Sequence, residues 1–390
     1  MPHLEGRDIV CFANDWSGDP LSKKHVMRRL AARNRVLWIN SLGNRAPRAT
    51  AHDLRRLFDK LQRFAGGLYQ VEERIHVLSP LAVPSYRSPL MRRLNEVVVG
   101  QAVRSAMRRL EFRRPLVYTF VPASAWIAGA LGAEAVIYHC VDEFSAFDGA
   151  GDEIAELEAE LCRKSDLVIA CSEPLVSAKS QLNPNTVLVR HGVEHAHFAR
   201  ALDPALPLPE GAQALPRPII GFHGLIAEWI HLEAIAKVAE AFPQGSVVLV
   251  GDVHQAAPEG LARLRALDNV HFVGRRPYEE LPGWCKAFDV ALLPFVSNAL
   301  TESSSPLKLR EYLAAGLPVV ATAIPEAAAL ASHGVRLART PAEFADQVRA
   351  ALADDEGDLA SRRARSAAMA EESWDRKVEQ IEHQLLRFLP

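Results

Sequence analysis

The sequence predicts an α/β protein of two doubly wound, Rossmann-like domains with a cleft between them. Its 390 residues suffice for two domains, and its 49% hydrophobic and 24% charged content is that of a globular protein. Short apolar runs alternate with segments of helical period along both halves, as in parallel sheets covered by helices. A proline- and alanine-rich stretch at 201–218 lacks that periodicity. We therefore expect a first domain at 1–200, a linker at 201–218 and a second domain at 219–372.

Each half contains five predicted strands, all of them short apolar runs bounded by polar or turn residues. In the first half the strands are expected at 9–13, 36–40, 116–120, 136–139 and 167–171, and the helices at 23–33, 52–64, 89–109 and 151–164. In the second half the strands are expected at 219–223, 246–250, 270–273, 290–294 and 318–321, and the helices at 232–241, 256–267, 278–286 and 307–315. The last stretch, 340–389, is predicted to be helical and charged.

Charge, cysteine content and hydropathy narrow the class of protein. The formal net charge of −2 gives no case for a nucleic-acid partner. The five cysteines are an odd number, widely scattered and without a C-x-x-C pair, which argues against a disulfide framework or a zinc site and favours buried thiols. The chain opens on no signal peptide, and no apolar run reaches the length of a bilayer span. We expect a cytoplasmic protein.

The most informative segment is 303–322, which is predicted to be a loop, a helix, a tight turn and a buried strand. Three serines and Pro306 precede the helix, and Gly316 ends it, all at positions that such residues favour. The free N–H groups and the positive dipole at a helix start bind phosphate. Lys308 adds a cation there, and the Glu311 carboxylate can accept two hydrogen bonds from a ribose. Together they suit a nucleoside diphosphate.

An ordinary capped helix is the alternative interpretation of this segment. Capping explains its serine–proline start and its glycine–proline end, but it does not explain a lysine beside three hydroxyl groups. We therefore favour a ligand site, whose candidate residues are Ser304, Ser305, Leu307, Lys308 and Glu311.

The segment PLKLREYLAAGLPVV at 306–320 resembles the donor-site motif of retaining glycosyltransferases of the GT-B fold, the group 1 or family-four type. Further stretches resemble a bacterial polysaccharide-biosynthesis branch of that family; they lie at 15–20, 138–147, 220–229, 269–278 and 288–294. The resemblance implies a GT-B architecture, two Rossmann-like domains facing a central cleft. It also implies that a final helix, at 373–390, crosses back to the first domain.

The resemblance places the nucleotide-sugar donor on the second domain. Gly224, after the first strand of that domain, lets the backbone approach the ligand closely. The Arg and Lys that many relatives carry just after it are replaced here by Leu225 and Ile230. Phosphate charge is then expected to be met elsewhere, by Lys308, Arg190, Arg275 or Arg276. For Arg275 and Arg276, a solvated basic turn is an equally supported interpretation.

Relatives often carry two glutamates separated by seven residues in this motif. Glu311 matches the second of them and is expected to bind the ribose. Ser303 stands at the position of the first, with Glu302 beside it.

Catalytic and acceptor groups are expected on the first domain. A histidine at this strand end in relatives meets the donor sugar, which makes His139, with neighbouring Asp142, the catalytic candidates; a structural role is the alternative for a lone histidine beside a strand. Acceptor-binding candidates lie in and after the loop that follows the first strand, where doubly wound folds bind ligands. They are Asp15, Gly18, Asp19 and His25.

No metal and no cofactor are expected. Asp142 and Glu143 lack the D-x-D spacing of a divalent-metal motif, and Lys308 with the helix dipole can neutralise the leaving diphosphate.

Seven arginines crowd one region of the first half: Arg92, Arg93, Arg104, Arg108, Arg109, Arg113 and Arg114. A solvated helix face is the favoured interpretation. The alternative is docking to the anionic inner face of the cell membrane, which would suit a lipid-linked acceptor.

The function expected from the sequence is retaining transfer of a sugar from a UDP- or GDP-sugar to a glycan or lipid-linked acceptor, in cell-surface polysaccharide biosynthesis. Two alternatives stay open. One is a nucleotide-sugar epimerase of the same two-domain build, and the other is a catalytically degenerate protein that binds nucleotide sugars.

Overall fold

The computed structural model describes residues 3–41, 67–82, 89–147, 152–254, 256–355 and 358–389. The chain divides into two compact units. Unit 1 comprises Met1–Arg190 and Lys377–Pro390, and unit 2 comprises His191–Arg376. The helix predicted at 52–64 lies outside the described residues.

Unit 1 contains an eight-stranded sheet in the order β3-β4-β2-β1-β5-β6-β7-β8, parallel except for the β3–β4 pair. Its strands are β1 (Asp8–Phe12), β2 (Arg35–Ile39), β3 (Leu68–Glu72), β4 (Ile75–Leu78), β5 (Leu116–Thr119), β6 (Ala135–Cys140), β7 (Leu167–Ala170) and β8 (Thr186–Leu188). The described helices before residue 191 are α1 (Ser22–Ala31), α2 (Pro89–Arg109), α3 (Ala125–Ala128), α4 (Asp152–Lys164) and α5 (Glu173–Lys179). The buried strands are continuous apolar runs because helices cover both faces of a parallel sheet.

Unit 2 contains a six-stranded parallel sheet in the order β11-β10-β9-β12-β13-β14. Its strands are β9 (Ile219–His223), β10 (Ser246–Val250), β11 (Val270–Gly274), β12 (Val290–Leu293), β13 (Val319–Thr322) and β14 (Val335–Ala338). The strand order reverses between β9 and β12, so the crevice at the carboxyl end of β9 is the place where such folds bind ligands.

The helices from residue 191 onward complete the fold. They are α6 (His195–Phe198), α7 (Leu232–Ala241), α8 (Pro258–Arg265), α9 (Leu281–Ala287), α10 (Ala299–Glu302), α11 (Leu307–Ala314), α12 (Pro325–Ala328), α13 (Pro341–Asp355), α14 (Leu359–Ala368) and α15 (Trp374–Leu385). None of the described helices has the length together with the hydropathy of a transmembrane segment. All five cysteines are buried free thiols.

The observed division differs from the boundary expected at residue 200. Phe198 is fully buried in the unit 2 core, and His197 Nε2 lies 3.0 Å from the Tyr278 carbonyl oxygen. The segment expected to be a linker also joins this core, because Ala201 and Ala212 are buried in it. These contacts place the ten residues before 201, and the stretch after them, in unit 2. At the other end, the division falls inside α15, after Arg376.

Candidate functional site

The carboxyl end of β9 is shaped by two glycines. Gly224 has φ +130°, and a Cβ atom built on it would lie 1.9 Å from Lys308 Cε. A Cβ atom on Gly251, which follows β10, would lie 2.0 Å from the Gly224 carbonyl oxygen. The loops after these two strands can therefore approach each other, and the Lys308 side chain can lie against them, only because both positions lack a side chain.

Helix α11 begins beside this crevice. Pro306, with φ −65° and ψ 120°, caps it, and the first-turn N–H groups of Leu307 and Lys308 have no carbonyl of a preceding turn to bond. The short helix α10 holds the loop in front of it, because Asn298 and Thr301 form a reciprocal capping box. The Ser304 hydroxyl donates to the Thr301 carbonyl at 2.7 Å. The helix start thus carries backbone donors, a positive dipole end and a lysine.

Three titratable side chains meet at this helix start: Lys308, Glu311 and His223. Burial lowers the pKa of Lys308, opposed by Glu311. Burial raises the pKa of Glu311 to about 7, opposed by Lys308. Burial and the Lys308 charge lower the pKa of His223 to about 3. Near neutral pH the cluster therefore combines a lysine whose charged form is disfavoured by burial, a neutral imidazole and a carboxyl group that is close to its pKa.

The Lys308 ammonium group is placed to meet an anion. Its Nζ lies 5.9 Å from the centre of the Phe222 ring, and its stem lies against Gly224. Since desolvation disfavours its charge, an anionic ligand at this point would be stabilised and would in turn keep the lysine protonated.

The structure places the Ser305 hydroxyl in an interior network, and sequence reasoning missed that network. Ser305 Oγ donates to Glu326 Oε2 at 3.3 Å, and Arg310, whose residue is only 1% exposed, reaches the same Oγ at 3.5 Å. Arg310 also pairs with Glu326 at 3.6 Å and with Glu372 at 2.9 Å. This network holds the first turns of α11 in place. No motif spacing in the sequence predicts it, because its members come from distant parts of the chain.

The other donor candidates lie on other elements of the chain. Arg275 and Arg276 are exposed in the turn after β11, two strands from β9 in the sheet order. Arg190 is the last residue of the first segment of unit 1, where it lies 3.3 Å from Glu173. Glu302 is exposed and accepts a hydrogen bond from Ser297 at 2.6 Å. The structure therefore brings Gly224, Lys308 and Glu311 together within unit 2.

In unit 1, the two catalytic candidates follow one another along β6 and the loop after it. His139 is buried, its Nδ1 lies 2.8 Å from Tyr118 Oη, and its ring centre lies 5.0 Å from that of Phe120. Burial raises the pKa of Asp142 to about 6, opposed by Lys23 and assisted by Glu158. Asp142 can therefore hold or release a proton near neutral pH.

The acceptor candidates surround the start of α1. Asp15 Oδ1 accepts the Ser41 N–H at 3.2 Å, and the Gly18 carbonyl accepts from Lys24. Asp19 is exposed, whereas His25 is buried in α1.

Sequence reasoning missed Lys23, beside these candidates. Its buried ammonium group donates to Asn14 Oδ1 at 2.5 Å, and burial lowers its pKa. Its charge also acts on Asp142. A buried lysine on a helix that carries other basic residues gives no signal in the sequence. Within the described residues, no group of three or more His, Cys, Asp or Glu side chains is arranged to hold a metal ion.

Comparisons with known proteins agree with this architecture. Residues 217–354 match the family described as glycosyl transferases group 1. A Bacillus subtilis protein provisionally named as a teichuronic acid biosynthesis glycosyltransferase, TuaH, is 24% identical over 336 residues, which cover 81% of each chain.

Among solved structures, sucrose-phosphate synthase of Thermosynechococcus elongatus has a TM-score of 0.70 at 18% identity, covering 98% of both chains. HepE of Anabaena, in complex with UDP and glucose, has a TM-score of 0.68 at 17% identity, covering 98% of this chain and 100% of HepE. These structures are similar to the chain in fold.

Proposed function

We propose that the chain is a group 1 glycosyltransferase of the GT-B fold, and that it moves a sugar from a nucleoside diphosphate to a glycan or lipid-linked acceptor. The donor is a UDP- or GDP-sugar, the anomeric configuration is retained, and the product belongs to a cell-surface polysaccharide. The transfer takes place at the cytoplasmic face of the cell membrane.

The observation that carries the proposal is the junction of Gly224, Lys308 and the start of α11. A diphosphate at this point would receive backbone N–H groups, the positive end of the helix dipole and one ammonium group. Departure of a nucleoside diphosphate builds negative charge on its β-phosphate. Groups that are already in place stabilise that charge without reorganisation, so this arrangement favours sugar transfer. It also supports transfer that needs no metal ion.

Glu311 supports a nucleoside as the remainder of the donor. It lies one turn after Lys308, its side chain is 14% exposed, and an ionised carboxylate accepts hydrogen bonds only. The ribose of a nucleoside diphosphate offers two adjacent hydroxyl donors. It is joined directly to the diphosphate, so a group one turn from Lys308 can reach it. HepE, which shares the fold, is known in complex with UDP and glucose. Uracil is therefore the first base to test in the donor.

Retention is proposed to follow front-face attack. The bond from the anomeric carbon to the β-phosphate oxygen breaks, and the acceptor hydroxyl oxygen bonds to the same face of that carbon. The departing phosphate takes the hydroxyl proton. His139 and Asp142 are proposed to contact the sugar, since both lie at the carboxyl end of β6, and Asp142 can exchange a proton near neutral pH.

The acceptor class is proposed from one relative and from the loop after β1. TuaH carries a name from teichuronic acid biosynthesis, and the loop after β1 carries Asp15, Gly18 and Asp19 at the carboxyl end of a parallel strand. We propose that this loop and His25 bind the acceptor.

Membrane contact is proposed through α2. Four of its apolar side chains, Leu90, Leu94, Val97 and Val98, are exposed, and their spacing places them along one face of the helix. Arg92 and Arg93 are interspersed with them. An exposed apolar stripe beside arginines suits the interface of an anionic bilayer.

The test of donor binding is the Lys308→Ala variant. We expect UDP or GDP affinity, measured by isothermal titration calorimetry, to fall about ten- to hundredfold, the value of a charge-assisted hydrogen bond of ~1.5–3 kcal/mol. Turnover should fall at least as far, while the melting temperature changes little. Lys237→Ala, which removes an exposed lysine of α7, is the matched control. Equal affinity and turnover in Lys308→Ala would refute the assignment.

Product analysis separates the three functions that the sequence left open. A transferase forms a new glycoside only when an acceptor is present. An epimerase changes the sugar of the donor without an acceptor, and a degenerate binding protein binds the donor and leaves it unchanged.

A further inference from the structure

His223 is the last residue of β9, and its imidazole is held firmly in place. The residue is 2% exposed. Its ring stacks on Phe198, with centres 6.1 Å apart and planes 11° apart, and meets the edge of Tyr312 at 4.6 Å. Its backbone N–H donates to Tyr312 Oη at 2.8 Å. Packing on both sides leaves the ring little freedom to turn.

The Nε2 atom of this ring is buried and has no hydrogen-bond partner among the described residues. Glu311 Oε2 lies 3.8 Å from this atom, which is beyond hydrogen-bond distance. Buried polar atoms in native proteins are nearly always satisfied, and an exception calls for an explanation. A small rotation of the Glu311 side chain would close this gap.

The charges around the pair fix its chemistry. Burial, with Lys308 nearby, lowers the pKa of His223 to about 3, so its imidazole is neutral at physiological pH. A neutral imidazole that carries its proton on Nε2 donates to a carboxylate without adding charge. Glu311, by contrast, has a pKa of about 7 and changes its charge within the working range.

We propose that His223 is a positioning residue for Glu311: its Nε2–H group bonds the Glu311 carboxylate when a nucleoside diphosphate binds and turns that carboxylate toward the ribose diol. This inference rests on the proposed function. The ribose hydroxyls donate to the ionised carboxylate and therefore favour that form, which then accepts the imidazole proton. Functional hydrogen bonds are often long before the ligand arrives and shorten in the complex.

Titratable groups from neighbouring positions and elements face Glu311. They are Lys308 on the same helix, His223 on β9, Cys285 on α9 and Tyr312 beside it. Burial raises the pKa of Cys285 and of Tyr312 well above the usual range, and both stay neutral. The pKa of Glu311, about 7, lies within the range from pH 5.5 to 8.5.

The experiment compares UDP with 2′-deoxy-UDP in full-length wild type, His223→Phe and His223→Gln. Phe keeps the ring packing without a donor, whereas Gln restores an N–H group near the Nε2 position. His271→Phe, the same change on β11 of the same sheet, is the matched control. Affinities are measured by calorimetry from pH 5.5 to 8.5. Titration of the UDP phosphate is common to all the proteins and cancels in the comparison.

We expect His223→Phe to weaken UDP about tenfold, as for one lost hydrogen bond to a charged group, and to weaken 2′-deoxy-UDP much less. The acid limb of its UDP affinity should move to higher pH, because the Glu311 anion has lost a donor. His223→Gln should recover most of the affinity. Should His223→Phe fail to fold, His223→Asn, which lacks a group at the Nε2 position, replaces it.

Two results overturn the inference. Unchanged affinity and pH dependence in His223→Phe would do so, as would an equal loss for both nucleotides that Gln does not restore. Wild type that binds neither UDP nor GDP overturns the proposed function as well, and this result is visible before any variant is compared.

Discussion

The Lys308 side chain in unit 2 occupies space that is open only because residue 224 is a glycine. The Lys308 stem occupies the position where any other residue at 224 would carry its Cβ, 1.9 Å from Lys308 Cε. The φ of +130° at Gly224 is also disfavoured for residues other than glycine. The position of the ammonium group thus depends on a missing side chain 84 residues earlier in the sequence (308 − 224).

Gly224→Ala is predicted to impair both stability and donor binding. Backbone strain should cost about 1–3 kcal/mol of unfolding free energy, and displacement of Lys308 should weaken UDP at least about tenfold. Denaturant unfolding and calorimetry measure the two effects. Gly129→Ala is the control, since a Cβ atom there meets nothing within 4 Å. Full UDP affinity in Gly224→Ala would contradict the placement of Lys308.

At the scale of elements, α11 and α2 differ in what holds them. The buried face of α11 carries Leu309, Tyr312 and Leu313, and the Arg310 network fixes its base, so its amino-terminal end is held rigidly beside the β9 crevice. Helix α2 instead leaves large apolar side chains exposed, with Leu90 at 69% and Val97 at 52%. An apolar stripe of this kind on a protein surface indicates a partner or a membrane.

Leu94→Glu combined with Val97→Glu is predicted to lower binding to vesicles containing phosphatidylglycerol at least about tenfold, because two carboxylates would enter the bilayer interface. Binding of wild type should also weaken as salt is raised, since the arginines of α2 are screened. Vesicle flotation measures both effects. Leu359→Glu, on an exposed leucine of α14, is the control. Wild type that does not float with anionic vesicles would count against docking through α2.

For the whole molecule, the division into two units predicts where ligands act. Each unit has its own hydrophobic core and its own sheet. The donor groups with described contacts to one another, Gly224, Lys308 and Glu311, all lie in unit 2. The acceptor candidates all lie in unit 1.

Hydrogen exchange on the full chain is predicted to show this division. UDP should slow amide exchange at 224–226 and 303–309, because its diphosphate bonds the N–H groups of Leu307 and Lys308 and the bound ligand stabilises the loop and the helix start around it. Uridine, which has no phosphate, is the control and should protect these amides far less. Protection by UDP confined to residues before 191 would contradict a donor site on unit 2.

Much of the fold and part of the site are determined by local pattern. Strands such as β1, β7 and β9 are continuous apolar runs because both faces of a parallel sheet are covered, and the sequence analysis located them within one or two residues. Strand β3 was missed, since two of its five residues are exposed and it presents no apolar run. The helix with Lys308 and Glu311 was found from its capping residues and its motif.

Tertiary structure alone decided the rest, for one physical reason. His223 and Glu311 are 88 residues apart (311 − 223), and Arg310 and Glu326 lie on different helices; a contact of this kind leaves no periodicity or spacing in the chain. The pKa values of these groups follow from burial, which depends on the packing of the whole unit. The sequence by itself predicted which residues bind a nucleoside diphosphate. Their shifted pKa values, and the burial of the imidazole beside Glu311, exist only once the sheet has folded.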